Sequence, residues 1–145
     1  GIHMVDMLIN LLGPITETRA VSLRRAIPHD IDDTTSMLFQ FKDGMTGYLA
    51  TLAATRPTQR IEVFGTKGSI EIRDELTYTF RPAEGKPEVT NYPAFDKEEA
   101  ELEAFAAAIN GKAPYPLPNE DAIHGVAVFE SIVRSIESNA PEAVE

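Results

Sequence analysis

The feature that most constrains the fold is a run of short alternating segments between Ile15 and Arg81, separated by turn signals. From Thr34 to Lys42 the two faces differ in polarity, Asp43-Gly44 follows, and the next ten residues read as a return strand. Alternation with a period of two is typical of half-buried strands, and Asp-Gly is a strong hairpin signal. The pattern predicts about six strands, mostly linked as hairpins: 15–26, 34–42, 45–54, 60–64, 69–73 and 76–81.

Helical patterns flank this run on both sides. Residues 1–13 predict one apolar helix that ends at a Gly-Pro pair, and Asp96 and Asn119 predict the N-caps of two later helices. Strands in a run with segregated helices favour an α+β fold, in which a two-layer, largely antiparallel open sheet carries helices on one face. At 145 residues the chain is predicted to form a single domain, residues 1–145, with a frayed tail from Ser138.

Composition excludes several classes of partner. The formal net charge of -10 argues against nucleic acid and against an anionic membrane surface. The sequence has no cysteine, which excludes disulfides and thiol nucleophiles and suits a reducing compartment, and no apolar run approaches the roughly 20 residues of a membrane span.

Two motifs resemble binding sites but have a simpler interpretation. The loop from Pro28 to Asp33 holds one His and three Asp, yet these are too crowded for a known metal loop, and a solvated acidic loop is the prediction. The stretch Gly65-Thr66-Lys67-Gly68 lacks the end of a P-loop and no helix follows, so it predicts a hairpin turn. The sequence predicts no metal site, and without a strand-turn-helix carrying Gly-x-Gly-x-x-Gly it predicts no dinucleotide site.

The first helix carries the strongest candidate for chemistry. Its polar side chains are His3, Asp6 and Asn10, which fall within about 60° of one another at roughly 100° per residue. A helix that is apolar almost all round is expected to be buried, so this polar stripe would be its one hydrophilic face. His3 lies in the first turn, where the helix dipole favours a neutral imidazole that can act as a base, and Asp6 is close enough to reach the same ligand.

Two alternatives stand beside this interpretation of the stripe. His3 and Asp6 can simply satisfy each other or nearby backbone groups inside a core. Gly-x-His-Met also looks like a cloning remnant, although the usual remnant carries Ser where this chain has Ile2.

Three passages together resemble the C-terminal domain of the Gfo/Idh/MocA family of NAD(P)-dependent oxidoreductases, which act on sugars and polyols. The first passage, from Gly1 to Gly13, looks like the family's Asp-x-Gly-x-His-x-x-Asp helix entered at its Gly. The second is the Gly-Thr-Lys-Gly hairpin within 63–72, and the third comprises two closing segments, 105–114 and 120–135. The resemblance covers essentially all 145 residues in order.

The resemblance implies roles for two residues. His3 matches the family's catalytic His, and Asp6 matches a position that can line the substrate site. The family's nucleotide-binding domain precedes this one and holds NAD or NADP and a catalytic Lys, so the chain is expected to be a substrate and oligomerisation domain that is inactive alone. Its implied partners are a sugar or polyol, its own N-terminal domain and further copies of itself, in a cytoplasmic enzyme. Two alternatives are a non-catalytic ligand sensor and a bare dimerisation module on the same scaffold.

A homo-oligomer through the sheet face is also expected from the residues themselves. On the strand from Thr34, Leu38 shares a face with Ser36 and Gln40, and on the return strand Tyr48 shares a face with Ala50 and Leu52, so neither strand carries a charge there. An uncharged aromatic and aliphatic patch on an open sheet is typical of an interface.

We predict that this chain folds alone and binds no NAD(P), because it has its own core pattern but no phosphate cradle. Calorimetric titration with NAD(H) and NADP(H) should give no binding heat. Binding tighter than about 100 μM, or roughly -5.5 kcal/mol, would contradict this prediction.

Overall fold

A computed structural model describes all 145 residues and shows an α+β fold with three helices and two four-stranded antiparallel sheets. The helices are α1 (Ile2–Leu12), α2 (Lys97–Ile109) and α3 (Asn119–Ser138). The strands are β1 (Ile15–Leu23), β2 (Thr34–Phe41), β3 (Thr46–Leu52), β4 (Arg60–Gly65), β5 (Gly68–Arg73), β6 (Thr77–Pro82), β7 (Glu88–Asn91) and β8 (Glu142–Ala143). No helix is both long and apolar enough to cross a membrane.

The strands divide between two compact units, whereas the sequence predicted one sheet of about six strands. The first unit comprises Gly1–Thr55 and Tyr115–Glu145, with strand order β3-β2-β1-β8. The second comprises Arg56–Pro114, with strand order β4-β5-β6-β7. Each of the six predicted strands is present, and β7 and β8 are additional. The tail predicted to fray instead forms β8, which pairs with Glu17 and Thr18 of β1.

The core of the first unit lies between its sheet and the helices α1 and α3. Alternate residues of β2 are buried, as their pattern predicted, and they pack against Val5 and Ile9 of α1 and Val128 and Ile132 of α3. The buried residues of the sheet are Ile15, Thr18, Ala20, Met37, Phe39, Phe41 and Leu49. The opposite face of β1, β2 and β3 is exposed.

Helix α1 is only partly buried, which corrects the expectation of a fully buried helix. Val5 and Ile9 are buried, but Ile2 at the start of the helix and Leu11 on the opposite side are exposed. Within the first unit, α1 packs against α3 and, through Val5 and Ile9, against the core of the sheet.

In the second unit, the Gly-Thr-Lys-Gly stretch is the hairpin turn that its sequence predicted. It joins β4 to β5, with Gly65 paired to Gly68. Gly68 has a φ of 137°, and a side chain there would stand 2.1 Å from the carbonyl oxygen of Arg81 on β6. Glycine is therefore required by close backbone approach rather than by a phosphate.

Helix α2 begins as predicted and differs in its packing. The Asp96 side chain accepts a hydrogen bond from the backbone N–H of Glu99 at 2.9 Å, as expected for an N-cap. Its large apolar residues Leu102, Phe105 and Ile109 are exposed, and no residue of the helix is fully buried.

Asp33 organises the loop before β2, where a solvated acidic loop was predicted. Its carboxylate is buried and accepts hydrogen bonds from the backbone N–H groups of Arg25, Ala26 and Ile27 at 2.6–3.1 Å. The Thr34 hydroxyl donates a further bond of 2.9 Å. Because all of these donors favour the ionised carboxylate, the backbone N–H groups first among them, they hold the pKa of Asp33 far below its ordinary value of 3.8.

We predict that Asp33→Asn lowers the thermal unfolding midpoint by several degrees at pH 7, since an amide cannot accept the same set of bonds. Asp32→Asn, in the exposed neighbouring residue, is the matched control and should have little effect.

The effect of Asp33→Asn should depend on pH. A carboxylate whose pKa is lower in the folded state stabilises the fold above about pH 4, and this contribution is lost as the pH falls toward the folded-state pKa. The difference in midpoint between wild type and variant should therefore shrink between pH 5 and pH 2. A constant difference across that range would contradict the assignment.

Candidate active site

The candidate site is the polar stripe on α1, at the start of the first unit. The Gly1 carbonyl accepts the first intrahelical bonds, from the N–H groups of Met4 at 3.1 Å and Val5 at 3.2 Å. Gly13, with a φ of 85°, closes the helix by donating its N–H to the Ile9 carbonyl at 2.8 Å. Gly13 therefore ends the helix that carries His3 and Asp6.

His3 and Asp6 differ in their surroundings. His3 is exposed in the first turn, whereas Asp6 is half-buried where α1 meets α3. Neither side chain has a hydrogen-bond or ion-pair partner, so the two do not satisfy each other as a core pair would. Asn10 also lies exposed on the stripe. The stripe thus presents an imidazole and a carboxylate that are free to bind a ligand.

Helix α3 packs against α1 beside the stripe. Gly125 of α3 is buried, and a Cβ at this position would stand 2.9 Å from the Asp6 Oδ1 atom. At the start of α1, a Cβ on Gly1 would lie 3.5 Å from the Phe129 ring. Contacts at both positions place the first half of α1 directly along α3.

His124 has a structural role that its sequence position did not reveal. This residue of α3 is half-buried. Its Nε2 atom accepts a hydrogen bond of 3.1 Å from the backbone N–H of Ile15, the first residue of β1. An imidazole nitrogen can accept a hydrogen bond only when it carries no proton, so this bond requires an unprotonated Nε2. The bond fixes α3 to the point where the chain leaves α1.

A buried Glu71, outside the stripe, carries one of the strongest electrostatic perturbations in the chain. It accepts hydrogen bonds from Arg73 at 2.6 Å and Arg81 at 2.7 Å, and Arg60 lies at 2.9 Å. These guanidinium groups, Arg73 foremost, lower the pKa of Glu71 to about 2. Because every partner is part of one sheet, this ion-pair cluster links β4, β5 and β6 rather than forming a catalytic pair.

No cluster of three or more His, Cys, Asp or Glu side chains is placed to hold a metal ion. The remaining His of the chain, His29, lies exposed in the loop that Asp33 organises. In the glycine turn at 65–68, Gly68 approaches the backbone of Arg81 and Pro82 on β6 closely. The candidate chemistry of this chain therefore rests on α1.

Comparison with known proteins places this arrangement in a family. Residues 1–144 match the sequence profile of the oxidoreductase family C-terminal alpha/beta domain of Gfo/Idh/MocA proteins. The chain belongs to the Gfo/Idh/MocA oxidoreductase family. It is 30% identical to inositol 2-dehydrogenase of Rhizobium meliloti (strain 1021), across 93% of this chain and 45% of that enzyme.

Solved structures share the fold of this family domain. A protein from Desulfitobacterium hafniense, described as a candidate NADPH-dependent oxidoreductase, superimposes with a TM-score of 0.88 at 22% identity, over 99% of this chain and 46% of that one. An oxidoreductase from Agrobacterium radiobacter, solved with NAD+, L-tartaric acid and magnesium, gives a TM-score of 0.85 at 16% identity, over 99% and 47%. The chain spans less than half the length of each of these relatives.

Proposed function

We propose that this chain is the substrate-binding domain of an NAD(P)-dependent oxidoreductase that acts on a sugar or polyol. The observation that carries the proposal is the unpaired His3 and Asp6 on one stripe of α1, in a chain that belongs to an oxidoreductase family. The 30% identity to an inositol 2-dehydrogenase supports a polyhydroxylated substrate. Inositol is a cyclic polyol, and a carboxylate beside an imidazole offers hydrogen-bond acceptors for neighbouring hydroxyls.

His3 is the proposed proton acceptor. A secondary alcohol is oxidised only when its hydroxyl proton leaves together with the hydride, and a neutral imidazole within hydrogen-bond reach can take that proton. His3 is accessible in the first turn of α1, and Asp6, one turn further, can hold an adjacent hydroxyl. A nicotinamide cofactor would receive the hydride, and we propose that a separate nucleotide-binding domain holds it.

We predict that His3→Ala in the intact enzyme lowers kcat by on the order of 10²-fold or more, while the affinity for NAD(H) barely changes. Steady-state kinetics with myo-inositol and fluorescence titration of the cofactor measure the two effects. Asn10→Ala, a truncation on the same stripe, is the matched control and should retain most of the activity. Near-normal turnover of His3→Ala at neutral pH would show that His3 is not the base.

The exposed face of the first sheet is the proposed interface with a second copy of the chain. Its central row runs across three strands from Arg19 through Leu38 to Tyr48, which is 77% exposed. A parallel row continues from Leu23 through Thr34 to Leu52, with both leucines exposed. An apolar open face of this kind is typical of a surface that a partner covers.

Charge complementarity favours a second copy as the occupant. Glu17 and Arg19 alternate on the exposed face of β1, beside the uncharged residues of β2 and β3. Packing of two identical faces about a two-fold axis allows Arg19 of each copy to approach Glu17 of the other. One acidic and one basic residue on the same face therefore make the surface complementary to itself.

We predict that the chain forms a dimer at micromolar concentration and that Tyr48→Glu dissociates it, because the substitution buries an unpaired charge at the interface. Sedimentation equilibrium measures the mass. Phe64→Glu is the matched control, since Phe64 is 76% exposed but lies in the second unit. A wild-type mass of 15.9 kDa, or a dimer that survives Tyr48→Glu, would contradict the proposal.

A further inference from the structure

Gly125 is the point at which α3 makes room for the Asp6 carboxylate. It is buried within α3, at a helix-interior position where glycine is less favourable than alanine. A side chain there would place its Cβ 2.9 Å from Asp6 Oδ1, closer than van der Waals contact allows. The unfavourable helix residue thus coincides with the one place where a carboxylate of the candidate site meets α3.

The surrounding contacts limit how far Asp6 can move away. Gly1, the N-cap of α1, lies beside Phe129 of α3, and Asp6 lies beside Gly125, so the two helices run antiparallel in contact along this stretch. Val5, next to Asp6, is completely buried in the core, which fixes the backbone of α1. His124, next to Gly125, holds α3 to the start of β1 through its bond to the Ile15 N–H. With both backbones fixed, a side chain at residue 125 would have to displace the Asp6 carboxylate itself.

We propose that Gly125 is a positioning residue for substrate binding: the absence of its side chain lets the Asp6 carboxylate lie against α3, where it faces the ligand together with His3. This inference rests on the proposed function for its consequence in catalysis. Its geometric part stands on the contact between Asp6 and Gly125 alone. The two parts can therefore be tested separately.

The geometric part is tested by a double-mutant cycle on this chain, using Asp6→Ala, Gly125→Ala and the double variant. With Asp6 truncated, Gly125→Ala should raise the thermal unfolding midpoint, because alanine has the higher helix propensity and meets no carboxylate. With Asp6 present, the same substitution should raise the midpoint less or lower it, and the carboxyl ¹³C resonance of Asp6 should shift. Equal changes in midpoint in both backgrounds, with an unmoved resonance, would overturn the inference.

The catalytic part is tested in the intact enzyme with myo-inositol as the probe. Displacement of a substrate-binding carboxylate should lower kcat/KM by about 10- to 100-fold, mainly through a higher KM, without changing the affinity for NAD(H). Gly47→Ala is the matched control, because its Cβ would meet the Phe41 ring at 3.3 Å in the core and does not approach Asp6. Unchanged kinetics in Gly125→Ala would refute the positioning role.

The two failures are distinguishable. An intact protein that turns over no polyol or sugar would refute the proposed function, while coupling in the cycle would still establish that Gly125 sets the position of Asp6. Activity with a normal KM in Gly125→Ala would refute the inference and leave the proposed function standing.

Discussion

The packing of α3 on β1 is the interaction on which the rest of the first unit depends. Val128 and Ile132 fill the core beneath the helix, and two fully buried hydroxyls tie the helix to the strand. Ser131 Oγ lies 2.9 Å from the Thr18 hydroxyl oxygen, and Ser135 Oγ accepts the N–H of Ala20 at 2.9 Å. The bond from Ala20 to Ser135 follows from the short length of β8. Because β8 pairs with β1 only at Glu17 and Thr18, the N–H of Ala20 has no partner on that strand. The Ser135 hydroxyl of α3 accepts this hydrogen bond instead.

This interface determines where the candidate site can be. Helix α1 contacts α3 at Gly125 and Phe129, and it contacts the core of the sheet through Val5 and Ile9. Packing against α3 therefore sets the position of the His3 and Asp6 stripe, although α3 (residues 119–138) lies more than 100 residues later in the chain. Packing against an element that is distant in sequence fixes the geometry of side chains that stand on a short helix.

The sequence predicted what depends on local periodicity. Alternation located each of the first six strands within about three residues at either end, and capping chemistry located α2. Alternation did not predict β8, because a strand of two residues is too short to show a period. It also did not predict the division into two sheets, because strand pairing depends on contacts between residues that are distant in sequence. The prediction that α1 is buried all round was also wrong, since an apolar pattern does not reveal whether another element covers each side of a helix.

In the candidate site, too, the sequence predicted the residues that follow a local pattern and missed those that act through distant contacts. His3 and Asp6 were found because helix spacing places them on one stripe, and the family resemblance gave them roles. His124, Gly125 and Asp33 were missed as structural determinants, because each acts through a contact with backbone or a side chain that no local pattern encodes. A glycine inside a predicted helix was the one available signal, since its helix propensity is poor and a packing reason is common.

Hydrogen exchange measured on this chain tests most directly whether α3 supports α1. Val128→Ala opens a cavity under α3 where the wild-type side chain is fully buried, and Val133→Ala truncates a side chain on the same helix that is 51% exposed. If α1 depends on α3, Val128→Ala should accelerate exchange in residues 2–12 together with α3, and Val133→Ala should leave both near wild type. Faster exchange in α3 with unchanged protection of α1 would contradict this account.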